Sequence, residues 1–149
     1  MSEAKFKAIS ERAAKYFESD FNCAESVLMS LAESICVRSE LIPKIATPFG
    51  GGIGRRGSVC GALTGGVMAI GLKFGRIEAK DTKRREVSYN KALELSKRFE
   101  KEFGSALCYY LIKLDLTTEE GRKSIKAVRL EKCISFVRFA ARNAAQLME

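Results

Sequence analysis

Residues 50–65 read GGGIGRRGSVCGALTG, and this stretch constrains the fold more than any other. More than half of the 12 glycines in the 149 residues fall inside it, and both prolines, Pro43 and Pro48, stand just before it. Glycine permits left-handed turns and proline cannot continue a helix, so an irregular connection with helices on either side is expected. SVCGALTGGVMAIGLKFG then reads as a buried helix from about Val59 to Phe74. Gly61, Ala62, Gly65, Gly66 and Ala69 leave one of its surfaces nearly flat. Each helical glycine costs about 1 kcal/mol against alanine, so this many imply close helix packing or a functional contact. The apolar run from Val59 to Leu72 is shorter than the roughly 20 residues that cross a bilayer, and no membrane span is expected.

The other segments carry helical periodicity. In residues 2–18, Phe6, Ile9, Ala13 and Phe17 recur at steps of three and four. Asn22 is placed to cap a helix over residues 23–36, with Val27, Leu28, Leu31 and Ile35 as its apolar set. A helical turn near Leu41–Ile45 fits inside the loop that follows. Asp81 can cap a charged helix over residues 82–103, with Ala92, Leu95, Phe99 and Phe103 as its stripe and Gly104 as its stop. SALCYYLIKLDL is apolar but does not declare its type. Thr117 with Glu120 forms a capping box for a last helical region running to Met148, with a break before Cys133. The expected fold is all-α, a compact single-domain bundle of about five helices over residues 1–149, with the glycine-rich loop before a buried central helix.

The chain has no histidine, which excludes a Ser–His–Asp triad, Cys–His activation and histidine ligation of a metal or haem from within it. Its net charge of +8 is spread among acids on helical faces, as in KDTKRREVSYNKALELSKRFEKEF, and no nucleic-acid motif is visible, so no specific nucleic-acid partner is expected. There are five cysteines: Cys23, Cys36, Cys60, Cys108 and Cys133. MSEAKFKAIS lacks the apolar core of a signal peptide, which points to the cytoplasm, where thiols are usually reduced. Cysteines there serve metal binding, catalysis or simple packing.

FNCAESVL, FGGGIGRRGSVCGALTGGVMAIGL, and the pair FGSALCYYL and KCISFV resemble the C_GCAxxG_C_C family of small, helical, redox-active proteins across nearly the whole chain. The Cys-Gly-Ala-x-x-Gly motif stands here as Cys60, Gly61, Ala62, Leu63, Thr64 and Gly65. The family's four cysteines map onto Cys23, Cys60, Cys108 and Cys133, and Cys36 lies outside the pattern. The resemblance implies a redox or metal role, alongside redox or transport-associated partner proteins.

Three readings of these cysteines stay open. In the first, Cys60 sits in the first turn of its helix, where backbone N–H groups and Arg55 and Arg56 favour a thiolate, and Cys23, opening its own helix, resolves it. Cys108 and Cys133 then form a second pair or complete a four-cysteine site. In the second, Cys23, Cys60, Cys108 and Cys133 hold zinc or an iron–sulfur cluster, although no CxxC occurs and all four would have to converge from separate helices. In the third, the cysteines pack as small hydrophobes in a structural or interaction module, and the flat Gly61–Gly65 surface serves contacts within the chain or in a homodimer. Gly50, Gly51, Gly52, Gly54, Arg55 and Arg56 are a candidate anion or cofactor cradle, but they lack the Walker lysine and the strand–GxGxxG–helix setting. Tyr109 and Tyr110 could line a pocket beside Cys108 or pack in the core.

Overall fold

Capping side chains decide where the helices begin. A computed structural model describes residues 2–149. Ser2 caps helix α1, Glu3–Glu18, by accepting from the Lys5 N–H. Asn22 opens α2, Cys23–Ser34, through a reciprocal box in which Asn22 accepts from the Glu25 N–H and the Glu25 carboxylate accepts from the Asn22 N–H. Cys60 stands at the cap of α3, Gly61–Phe74. Asp81 caps α4, Thr82–Phe103, which Gly104 ends in the left-handed conformation. Cys108–Ile112 forms the short α5. At α6, Glu119–Val128, the capping residue is Thr118, which accepts from the Gly121 N–H, while Thr117 bonds Asp115 instead. The expected Thr117–Glu120 box is therefore displaced by one residue. A π-helical turn, Arg129–Cys133, joins α6 to α7, Ile134–Leu147, and is the break expected before Cys133.

The described residues thus form an all-helical bundle, with seven helices of five residues or more rather than about five. The last helical region divides in two at the π turn, and α5 is a short helix within the apolar stretch that declared no type. No helix among the described residues is long and apolar enough to cross a membrane.

Helix α3 is central, packing against α2, α4 and α7, while α7 also lies along α1. Phe17, Leu28, Leu31, Ile70, Leu95 and Phe99 fill the interior. Phe99, Phe103, Phe136 and Phe139 meet in tilted and edge-to-face contacts with ring centroids 4.7–6.1 Å apart. The flat surface of α3 receives α2. A Cβ placed on Gly65 would lie 2.6 Å from the Ala24 carbonyl oxygen, and one on Gly61 would lie 3.2 Å from the Ala24 nitrogen. This surface is occupied within the chain, so it is not free for contact between copies.

The glycine-rich loop turns left-handed. Gly51, Gly52, Ile53, Gly54 and Arg55 all have positive φ, a run that only a glycine-rich sequence sustains at low cost. The turn is held by the Gly57 N–H to the Gly51 carbonyl and the Ser58 N–H to the Gly52 carbonyl.

Two glycines of α3 separate packing from propensity. Gly65→Ala is expected to cost about 1–3 kcal/mol, because the methyl group meets backbone that cannot move aside. Gly71 has open space beside it, and Gly71→Ala is expected to gain up to about 1 kcal/mol. Urea unfolding midpoints check both, and equal shifts in one direction would contradict the close α2–α3 contact.

Candidate functional site

Four cysteines reach one cavity from four parts of the chain. Cys23 opens α2, Cys60 caps α3, Cys108 opens α5 and Cys133 ends the π turn. The cavity has a volume of about 240 Å³ and is walled largely by apolar side chains, among them Phe17, Leu111 and Phe136. All four thiols are free. Cys60 and Cys133 are buried, whereas Cys23 and Cys108 keep partial exposure.

Backbone contacts account for the convergence. The α2–α3 approach brings Cys23 to α3, where a Cβ on Gly61 would lie 3.3 Å from the Cys23 Cβ. A one-residue antiparallel bridge, Val59 with Leu107, joins the entrances to α3 and α5. There the Cys60 N–H donates to the Ala106 carbonyl at 2.8 Å, and the Cys108 N–H donates to the Ser58 carbonyl at 2.7 Å. The left-handed turn closes on the same place, since a Cβ on Gly52 would lie 2.7 Å from the Cys108 Cβ. Cys133 enters through the π turn, whose extra residue per turn shifts the register between α6 and α7.

The thiols differ in their readiness to ionise. Cys23 and Cys133 influence each other's protons on the wall of one cavity. The protonated Cys23 thiol, aided by the Arg129 guanidinium and then Lys132, outweighs burial and holds Cys133 below the ordinary thiol value. The neighbouring Cys133 sulfur, burial and the other sulfurs hold Cys23 well above it. Burial pushes Cys60 up to about 12, against the opposing pull of the Ala62 and Leu63 N–H groups. Burial, with Cys133 nearby, pushes Cys108 up to about 11. At Cys60, expected as the activated thiolate, desolvation exceeds the benefit of its place at a helix start. Arg55 and Arg56, expected to favour a thiolate there, are solvent-exposed.

Arg129 is a site residue that the glycine motif does not advertise. It stands four residues before Cys133, so the two share a helical face, and that i, i+4 spacing is the signal in the sequence. Its guanidinium is fixed 4.0 Å over the Phe17 ring and donates to the Phe17 and Phe21 carbonyls at 3.1 and 3.0 Å. The Asp20 carboxylate stands 3.8 Å away.

The remaining candidates separate. Gly51 and Gly52 line the thiol cavity, Gly50, Gly51, Gly54 and Arg55 line an adjoining cleft, and Arg56 lines neither. Tyr109 and Tyr110 stack edge-on and face solvent, belonging to neither pocket nor core. Cys36 lies past the end of α2, exposed and apart from the cluster. Among the described residues no three Cys, Asp or Glu side chains are arranged to hold a metal ion. Cys23, Cys60, Cys108 and Cys133 share a cavity without closing into a ligand set for the zinc or iron–sulfur alternative.

The ionisation order is measurable in a Cys36→Ser background by ultraviolet thiolate absorbance against pH. The first step is expected from Cys133, lost in Cys133→Ser and moved to higher pH in Arg129→Met. Unfolded thiols ionise near pH 8.5, while buried Cys60 holds its proton to about 12. Between these values the folded state binds more protons, so stability is expected to fall as pH rises above about 8.5. Cys60→Ala should flatten that decline in denaturant titrations, and a first ionisation at Cys60 would contradict the assignment.

A family model described as "Putative redox-active protein (C_GCAxxG_C_C)" matches residues 21–147. No curated protein and no solved structure matches the chain.

Proposed function

The chain belongs to the C_GCAxxG_C_C family, and from that membership we propose that it is a cytoplasmic thiol–disulfide redox protein in which Cys133 is the attacking thiolate and Cys23 resolves it. The observation that carries this reading is the convergence of all four family cysteines on one cavity, in which Cys133 is held low and Cys23 high by each other's proximity. One low and one high thiol on the same cavity wall is the arrangement that dithiol exchange needs.

The chemistry follows from the two sulfurs. The Cys133 thiolate attacks one sulfur of a substrate disulfide, forming a mixed disulfide and expelling the first substrate thiolate. Cys23 then attacks the Cys133 sulfur, forms the Cys23–Cys133 disulfide and releases the second. The Cys23 proton and one proton from solvent, replacing the one Cys133 had already lost, convert both leaving groups to thiols. Two electrons pass from the cysteine pair to the substrate. Cys60 and Cys108, tied across the Val59–Leu107 bridge, are a second dithiol that can reduce the new disulfide by the same exchange. A redox or transport-associated partner protein restores the dithiols. We prefer this pairing to the Cys23–Cys60 pairing expected from aligned helix starts, because Cys133 is held below the ordinary thiol value whereas Cys60 is held above it.

Substoichiometric oxidation of the Cys36→Ser protein, followed by peptide mapping, tests the assignment. The first disulfide is expected between Cys23 and Cys133, and Cys23→Ser should accumulate the mixed disulfide on Cys133. A first disulfide between Cys23 and Cys60, or the absence of any internal disulfide, would overturn it.

A further inference from the structure

The thiol cavity adjoins a second cleft whose chemistry differs from its own. This cleft has a volume of about 430 Å³ and is lined by Arg55, Arg122 and Arg129 with no carboxylate among its walls. The two spaces share Asn22, Gly51, Leu116, Ile125 and Arg129, so they adjoin. Arg129 belongs to both and stands one helical turn from Cys133.

The three arginines that line the cleft keep unused hydrogen-bonding capacity. The Arg55 side chain has no hydrogen bond or ion pair among the described residues, and a Cβ on Gly51 would lie 3.2 Å from its Cγ, so its stem rests on the rim between the two spaces. Arg122 spends only Nη1, donating to the Leu116 and Thr117 carbonyls at 3.0 Å, which anchors the guanidinium and leaves Nε and Nη2 free. Arg129 uses Nη2 on the Phe17 and Phe21 carbonyls and leaves Nε free. The nearby acids are otherwise engaged or outside. Glu25 accepts from Asn22 and Thr47, and the exposed Asp20, 3.8 Å from Arg129 Nη1, lines the thiol cavity but not the cleft. Arginine forks bind carboxylate and phosphate oxygens in preference to neutral groups.

We propose that this cleft recruits an anionic small molecule, so that the disulfide reduced at Cys133 belongs to a low-molecular-weight compound bearing carboxylate or similar anionic groups. The proposal rests on the thiol–disulfide reading for its reaction, but anion recruitment beside Cys133 is separable from it. The apolar cavity takes the disulfide and its methylenes, while the arginines hold the charged end at the entrance. A neutral or cationic disulfide of the same size gains nothing from the cleft.

Two measurements keep the recruitment and the reaction apart. Alkylation of Cys133 in the reduced, full-length Cys36→Ser protein is followed by peptide mapping with iodoacetate and with iodoacetamide. Relative to free cysteine, the iodoacetate-to-iodoacetamide rate ratio at Cys133 is expected to be about tenfold higher at low salt. It should fall towards the free-cysteine value in Arg55→Gln and further in Arg55→Gln with Arg122→Gln, while Lys83→Gln, which removes the same charge outside both cavities, leaves it in place. The second measurement follows reduction of dithiodiglycolate, bis(2-hydroxyethyl) disulfide and cystamine, which carry two negative, no and two positive charges. The expected order of kcat/KM is anionic above neutral above cationic, with the anionic preference reduced in Arg55→Gln. An unchanged alkylation ratio in the arginine variants, or equal rates for the three disulfides, would overturn anion recruitment. A preserved alkylation preference with none of the three disulfides reduced would overturn the thiol–disulfide reading and leave the anion site standing.

Discussion

Ala24 of α2 rests so closely on α3 that a methyl group at position 65 would sit 2.6 Å from its carbonyl oxygen. Most of the site follows from that contact. With the helices in register, the start of α2 lies beside the start of α3, and Cys23 comes to the Cys60–Gly61 junction. A larger side chain at Gly61 or Gly65 would push the helices apart and withdraw Cys23 from the cavity. The glycines of the Cys-Gly-Ala-x-x-Gly motif thus act on the sulfur chemistry through packing, by removing the atoms that would separate two helices.

The remaining cysteines are brought in by weaker and more local devices. Cys108 is held by a single antiparallel bridge and by a left-handed turn that only glycine lets come so near. Cys133 is held by a π turn, a register fault that also sets Arg129 against the Phe17 ring. Glycine-rich turns and π turns are common where function imposes an irregular backbone. Here both sit on the wall of one cavity, beside one cation. An apolar enclosure favours the protonated forms of Cys60 and Cys108, while the neighbouring Cys23 thiol and the charge of a fixed guanidinium favour the thiolate of Cys133 within the same enclosure. Two opposed environments in one cavity set the four sulfurs apart.

Much of the architecture was legible in local pattern. Apolar steps of three and four marked the helices, and Asn22, Asp81 and Gly104 stand at the ends assigned to them. Thr117 misled because the neighbouring Thr118 competes for the same cap, and two adjacent threonines offer no local basis for choosing between them. The short α5 was not legible because five residues are too few to display a period. Cys60 was legible as part of a motif but not in its ionisation, since a helix start suggests a low pKa only while water remains to solvate the charge.

The sequence by itself determined the helical class, the absence of histidine chemistry, the family cysteines and the glycine surface that allows close packing. These follow from side-chain identity and short-range spacing. Tertiary structure alone decided that Cys133 joins Cys23, Cys60 and Cys108 in one cavity, that Arg129 stands on the wall of that cavity against Phe17, and that Arg55 and Arg122 line the adjoining cleft. Those outcomes depend on burial and on contacts between residues a hundred or more positions apart. No local pattern carries such information, because desolvation and through-space charge are properties of the folded surroundings of a residue.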